Sequence, residues 1–297
     1  MKKGIWYAIA AYAIWGLFPI YWKWLQGVPA LQLIGHRIGW SFILLFAIIL
    51  ITRQWQAFRA VAFDGRTLRI YSVAAVLISI NWLVYVWAVN AGYVVESSLG
   101  YFINPLLSVL LGVVFLRERL RPWQWLPVGL AALGVVIVAF AYGFFPWIAV
   151  ALALSFGLYG LVKKTAPLNS FHGLTLETGI LFIPALLYLF YLDRLGQGAF
   201  LHMDATSNLL MIGAGLVTTV PLLLFSSAAQ RIPLAVIGIL QYITPTMQFL
   251  LGVFVYKEAF STAQFVGFAL VWVALIVFSV EGFLARSARQ PVPAILD

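Results

Sequence analysis

A chain of 297 residues that is 64% hydrophobic and 9% charged, with a mean hydropathy of +1.01, has the composition of an integral membrane protein rather than a soluble domain. Its apolar runs are continuous rather than alternating, which favours spanning helices over a barrel, because lipid offers unpaired backbone groups no partner. The net charge of +9 does not indicate nucleic acid, since the basic residues lie in short loops between apolar runs, and the lack of cysteine excludes disulfides, thiolate chemistry and cysteine-bound metal.

The N-terminal MKKGIWYAIAAYAIWG has a basic start, but too few apolar residues precede Ala8-Ile9-Ala10 for a cleavable leader. It is expected to persist as the first of ten spans, placed near 4–24, 31–52, 70–90, 95–116, 123–141, 146–162, 172–192, 208–229, 234–256 and 262–284. The fourth and ninth spans share a pattern: a polar residue before a proline, then Leu-Leu-Gly-Val, then a basic residue followed by Glu. An offset of 140 residues aligns Ile103 with Ile243, Pro105 with Pro245, Gly112 with Gly252, Glu118 with Glu258 and Gln124 with Gln264. An offset of 141 aligns Trp6 with Trp147, Gly16 with Gly157 and Lys23 with Lys164. The expected organisation is therefore a five-helix repeat over 1–141, a second over 142–285 and a tail over 286–297.

Loop charge sets the orientation. With the N-terminus in the cytoplasm, fourteen Lys and Arg residues fall on the inner side and three on the outer, with Arg37 inside a span. An odd number of spans per copy inverts the second copy relative to the first. Inverted repeats with a binding site at their interface are a common architecture of secondary transporters.

Several segments carry a family resemblance: HRIGWSF (36–42), NWLVYVWAVNAG (81–92), SLGYFINPL (98–106), GLVTTVPLLLFSSAAQRIPL (215–234) and LQYITPT (240–246). Together they resemble the RarD group of EamA-type transporters in the drug/metabolite transporter superfamily, over nearly the whole chain. The resemblance implies a multi-pass permease of the bacterial inner (plasma) membrane, with both termini cytoplasmic. It further implies an exporter of drugs or metabolites, linked by name to chloramphenicol, in which the first four helices of each repeat line a central cavity and the fifth is peripheral.

Polar residues within the spans are the candidate substrate contacts. Pro105 and Pro245 remove a backbone hydrogen bond at matching depths and are expected to kink their helices beside the cavity. Tyr101, Asn104, Gln241, Tyr242 and Thr244 surround them. Asn81 must face either the cavity or another helix, since an amide toward lipid is costly. Asn90 reads as a helix-end residue, and Glu96 as either a proton-coupling carboxylate or an exposed helix start. Arg37 and Glu177 stand at equivalent positions of the second and seventh spans. As ionisable residues within spans they are expected either to pair with each other as a gate or to hold the two charges of a zwitterion. The alternative for both is a shallow position from which each snorkels or pairs with a neighbour such as His36.

No catalytic, phosphate-binding or metal-ligand spacing occurs, so neither an enzyme activity nor a cofactor is expected. The leading expectation is a secondary carrier that moves small amphipathic or zwitterionic molecules, amino-acid-like or chloramphenicol-like, by alternating access. Its expected partners are that substrate and membrane lipid, with no nucleic acid, and with coupling to a proton or substrate gradient as monomer or homodimer. A channel-like or structural membrane subunit is the alternative reading, and a lipid-modifying enzyme a more distant one.

Overall fold

The computed structural model describes residues 2–90, 94–142, 145, 147–257 and 262–287, and among these every regular element is a helix. Helices α1 (Lys2–Trp24), α2 (Ala30–Ile51), α4 (Gly65–Asn90), α5 (Val94–Phe115) and α6 (Trp125–Tyr142) carry the first five spans. Helices α7 (Trp147–Thr165), α8 (Ser170–Arg194) and α9 (Ala205–Ala229), then α10 (Leu234–Gln241) with α11 (Ile243–Leu250), and α12 (Thr262–Ser287) carry the other five. Seven of these spans are long and apolar enough to cross a bilayer by length and composition, and the apolar stretches Gly100–Phe115, Pro122–Ile137 and Phe265–Glu281 are shorter.

Two features differ from the sequence expectation. A short helix, α3 (Trp55–Ala62), occupies what reads as a loop, because Phe58 and Ala62 bury one turn-spaced face against Tyr71, Leu168 and Leu176. The ninth span is not one helix. Pro245 has no N–H to offer the Gln241 carbonyl, the helix divides at Tyr242, and beyond Leu250 it relaxes into a π-helical turn over Leu251–Val255. At the matching Pro105, by contrast, α5 runs on through the proline.

Polar side chains outside the spans start several helices. Asn169 accepts from the His172 N–H at 2.9 Å, Asp204 from the Ser207 N–H at 3.1 Å, and Asp64 from the Thr67 N–H at 3.1 Å. The fourth and ninth spans end alike. Arg117 and Lys257, equivalent at the 140-residue offset, both adopt the left-handed region, with φ of 53° and 57°.

The packing repeats as well. Contact of α1 with α9 corresponds to that of α7 with α4, contact of α2 with α9 to that of α8 with α4, and contact of α1 with α11 to that of α7 with α5. Three equivalent pairs pack on each other directly: α2 with α8, α5 with α10, and α6 with α12. The result is an all-α, ten-helix membrane fold of two repeats whose most extensive contacts run between the repeats. The α5–α10 crossing is the tightest of these. A Cβ on Gly238 would fall inside contact distance of the Pro105 carbonyl oxygen, and 3.1 Å from the Ser108 Cβ.

Candidate functional site

A cleft with about 880 Å³ of atom-free space, counted out to its open mouth, lies between the repeats. Its lining comes from α1, α2, α4 and α5 of the first copy and from α7, α9, α10 and α11 of the second, with none from α6, α8 or α12. All lining residues but Leu222, which lies past the middle of α9, sit close to mid-helix or between there and the end that carries the 25–29 and 195–204 loops.

Among the described residues, Arg37, in α2, is the one cationic lining residue, and no Asp or Glu accompanies it there. Its Nε donates to Thr218 Oγ1 at 2.9 Å, while its guanidinium lies 5.0 Å from the Trp22 ring centroid and 4.6 Å from that of Trp82. Two indole faces and a hydroxyl therefore hold the charge in place inside the membrane. The guanidinium keeps terminal N–H groups for a ligand, in the planar fork that matches a carboxylate. Tyr85 and Tyr101, edge to face at 6.0 Å, extend the wall.

Tyr101 and Asn104, i and i+3 on one face of α5, correspond to Gln241 and Thr244, which stand on either side of the break in the divided span. Thr244 Oγ1 donates to the Tyr12 carbonyl at 2.8 Å, and Gln248 Nε2 to the Trp15 carbonyl at 3.2 Å, so α11 is pinned to α1. The buried Asn104 Oδ1, Gln241 Oε1 and Tyr12 hydroxyl have no hydrogen-bond partner among the described residues. A buried polar atom left unpaired costs about 1–3 kcal/mol, so each of these three offers a hydrogen-bonding position to water or to a ligand in the cleft. Asn81 lines the cleft and also packs a neighbour, its amide donating to the Leu152 carbonyl at 2.9 Å and to Ser155 Oγ at 3.1 Å on α7.

The floor is aromatic. Tyr12, Trp15 and Phe156 line it, and behind them the buried Phe225 stands 5.2 Å from Phe156, 5.7 Å from Trp15, 6.3 Å from Tyr12 and 6.1 Å from the equally buried Tyr159, measured between ring centroids. Trp15 and Phe156, equivalent at the 141-residue offset, touch each other at 5.8 Å, so the floor crosses the line about which the copies repeat.

Of the residues singled out from sequence, Arg37, Asn81, Tyr101, Asn104, Gln241, Thr244 and Pro245 line the cleft. Glu177, Tyr242 and Pro105 do not. Glu177 is not near Arg37: it is ion-paired with Lys163 at 2.5 Å and accepts from the Tyr159 hydroxyl at 3.0 Å, beyond the aromatic floor. Tyr242 is buried in the packing around α6 and α12, where its hydroxyl donates to the Phe102 carbonyl at 3.1 Å. Pro105 faces α10. Glu258 and the side chains of Asn90 and Glu96 lie outside the described residues. Among the described residues no cluster of His, Asp or Glu could hold a metal.

The EamA-like transporter family model matches residues 2–140 and 145–280, one match per copy. The chain belongs to the EamA-like transporter family. It is similar to the "Uncharacterized transporter YojE" of Bacillus subtilis (strain 168), 48% identical over 282 residues that cover 94% of each chain. It is also similar to "Protein RarD" of Escherichia coli (strain K12), 42% identical over 285 residues, 96% of each. A solved crystal structure shares the fold with a TM-score of 0.69 at 19% identity, over 98% of this chain and all of that one. This RarD-type EamA protein is thus a multi-pass membrane transporter of the drug/metabolite class.

Three residues that hold Arg37 in this EamA site, and Lys163 outside the cleft, escape sequence reasoning. Nothing in the sequence distinguishes Trp22 and Trp82 from the other tryptophans of the spans, or Thr218 from other small polar residues of packed helices. Lys163 reads as one of a basic pair marking the cytoplasmic end. Its signal was nonetheless present: Lys163 lies two residues before the end of α7 and Glu177 seven after the start of α8, so the short 166–169 turn brings them side by side.

Proposed function

We propose that this EamA transporter is a secondary carrier of the bacterial inner membrane, with both termini cytoplasmic, that exports small amphipathic molecules bearing a carboxylate or comparable planar anion. The observation that carries this reading is the Arg37 guanidinium, clasped by Trp22, Trp82 and Thr218, in an aromatic cleft whose lining includes no carboxylate among the described residues. In a low-dielectric cleft an uncompensated fixed cation favours an anion and disfavours a second cation. The unpartnered oxygens of Asn104 and Gln241 supply acceptors for a polar hydrogen, such as that of an ammonium or hydroxyl group. An amino-acid-like zwitterion with an apolar body satisfies all three features, and a neutral amphipath such as chloramphenicol satisfies the last two.

Transport proceeds by alternating access, with the repeat over 1–141 and the inverted repeat over 142–285 rocking about the shared floor, driven by a proton or substrate gradient and without ATP or other cofactor. Matched helix contacts in the two halves support this, since exchanging the roles of the halves moves the opening from one face to the other.

The test is a thermal-shift and counterflow panel on the purified, reconstituted chain, using aromatic amino acids, the corresponding amines that lack the carboxylate, and chloramphenicol. A ligand of the folded state raises its apparent stability. Amino acids should stabilise the parent but not Arg37→Met, and amines should have no effect. Equal stabilisation by the amines would refute the anion requirement, and flux that neither saturates nor shows counterflow would refute a carrier in favour of a channel-like subunit.

A further inference from the structure

Lys163 and Glu177 play no part in the cleft, yet they form a salt bridge whose side chains are only 1% and 2% exposed. The ammonium also lies over the rings of Tyr71 at 5.2 Å and Tyr159 at 5.8 Å, and Tyr159 donates to the second carboxylate oxygen at 3.0 Å. Tyr159 is stacked on Phe225, with an interplanar angle of 13°, and so belongs to the aromatic layer packed behind the cleft floor. The pair therefore sits directly behind the floor, on the side away from the cleft's mouth. As a static brace a buried ion pair is a poor choice, because desolvation offsets most of its attraction and apolar residues of similar volume pack as well. As a contact that must part it is well suited, because water entering between the partners restores the hydration that closure removed.

The repeat assigns this pair a counterpart. Lys163 and Glu177 occupy the positions that Trp22 and Arg37 hold in the first copy, and those two also touch, at 5.0 Å, beside the open cleft. One helix-pair contact is thus built twice, at opposite ends of the pathway. A second tie reinforces the closed end. Lys164 Nζ donates to the Ala229 and Ile232 carbonyls at 3.1 and 2.7 Å, and Glu118 accepts from the Leu234 and Ala235 N–H groups at 2.7 and 2.9 Å. With Lys164 and Glu118 3.9 Å apart, α7, the end of α9, the start of α10 and the segment after α5 are joined. Lys23, the equivalent of Lys164, instead lies 3.9 Å over the Tyr256 ring.

We propose that Lys163, Glu177 and Tyr159 form the gate that closes the pathway opposite the cleft's mouth, held by the Lys164–Glu118 tie, and that the Lys163–Glu177 pair parts whenever that end opens. The structure is then the state closed at the Lys164 face and open at the other. The physiological role rests on the transport reading, but the test needs no substrate.

The chain has no cysteine, so a single introduced thiol is an unambiguous reporter. Ser226, fully buried on α9 between Phe225, which packs behind the cleft floor, and the Ala229 carbonyl held by Lys164, is replaced by Ser226→Cys. Its modification by a membrane-impermeant maleimide is timed from each face of sided proteoliposomes. The parent should react slowly from both faces. Adding Glu177→Gln, which leaves Lys163 buried without its counter-charge, should raise the rate from the Lys164 face about tenfold or more. The exchanged pair Lys163→Glu/Glu177→Lys should return it toward the parent. An unchanged rate in folded Glu177→Gln protein, or a rise that is equal from both faces, overturns the proposal. Should Glu177→Gln not accumulate in the membrane, Glu118→Gln, at the more exposed tie, is predicted to raise the rate from the same face, and an unchanged rate there overturns the proposal equally.

Discussion

The α5–α10 crossing can be probed with one methyl group. In Gly238→Ala the new carbon meets the Pro105 carbonyl oxygen within contact distance, with Ser108 Cβ at 3.1 Å and Val109 Cγ2 at 3.2 Å. None of these is the loose end of a long side chain, so the helices themselves must separate. Overpacking of this kind costs about 1–3 kcal/mol, against about 1 kcal/mol gained from alanine's helix propensity. The variant should therefore lose up to about 2 kcal/mol. Gly39→Ala is the control: nothing lies within 4 Å of its added carbon, so only the propensity gain applies. At about 2 °C per kcal/mol, the two variants should differ in Tm by up to about 6 °C, with opposite signs relative to the parent. Tryptophan fluorescence during thermal unfolding in detergent reads the difference. Stabilisation by Gly238→Ala, or equal shifts in the two variants, would refute the argument that the repeats meet in close contact there.

Arg37→Lys keeps the charge but loses the flat stack between the indoles and the Nε bond to Thr218; affinity for a carboxylate ligand found in the panel should fall about ten- to a hundredfold in thermal-shift titration, with a smaller fall for Thr218→Val. Pro245→Ala restores a backbone donor to the divided span, so flux should slow while expression stays roughly intact; normal transport would make the break a packing feature only. Hydrogen bonds from the Thr67 N–H and from the Ser207 hydroxyl hold the Asp64 and Asp204 carboxyls below the ordinary Asp value of about 3.9. Groups depressed in the folded state stabilise it above their unfolded value and lose that contribution as pH falls through the folded one. The Tm of the parent should accordingly drop between about pH 5 and pH 3, and by less in Asp64→Asn/Asp204→Asn.

The spans were legible because an apolar run of bilayer length has few other readings, and the repeat because Pro105 and Pro245 stand at one offset. The polar residues around those two prolines include Tyr101, Asn104, Gln241 and Thr244, which line the cleft, and Tyr242, which does not. The offset misled for Arg37 and Glu177. Equivalent residues of inverted copies meet only where they lie on the line relating the copies, as Trp15 and Phe156 do, and otherwise end on opposite sides of it. Helix α3 was missed because eight residues containing Arg59 resemble a cytoplasmic loop until Phe58 finds its pocket against Tyr71 and Leu168. Trp22 and Trp82 were unreadable for a different reason: spacing does not reveal which of twelve tryptophans faces a cation on another helix.

The exchange of contacts between the halves bears on how the protein is made. Helices α1, α2 and α5 lean mainly on α7 to α11, so the first five spans leave the ribosome before most of the surfaces they will rest on exist. Until then Arg37, whose Nε acceptor is on α9, and Asn81, whose amide acceptors are on α7, must wait among lipids or insertion factors with those groups unsatisfied. Assembly of the first half is therefore tied to completion of the second, and a chain truncated after Tyr142 is expected to be a substrate for membrane proteolysis rather than a stable half-transporter.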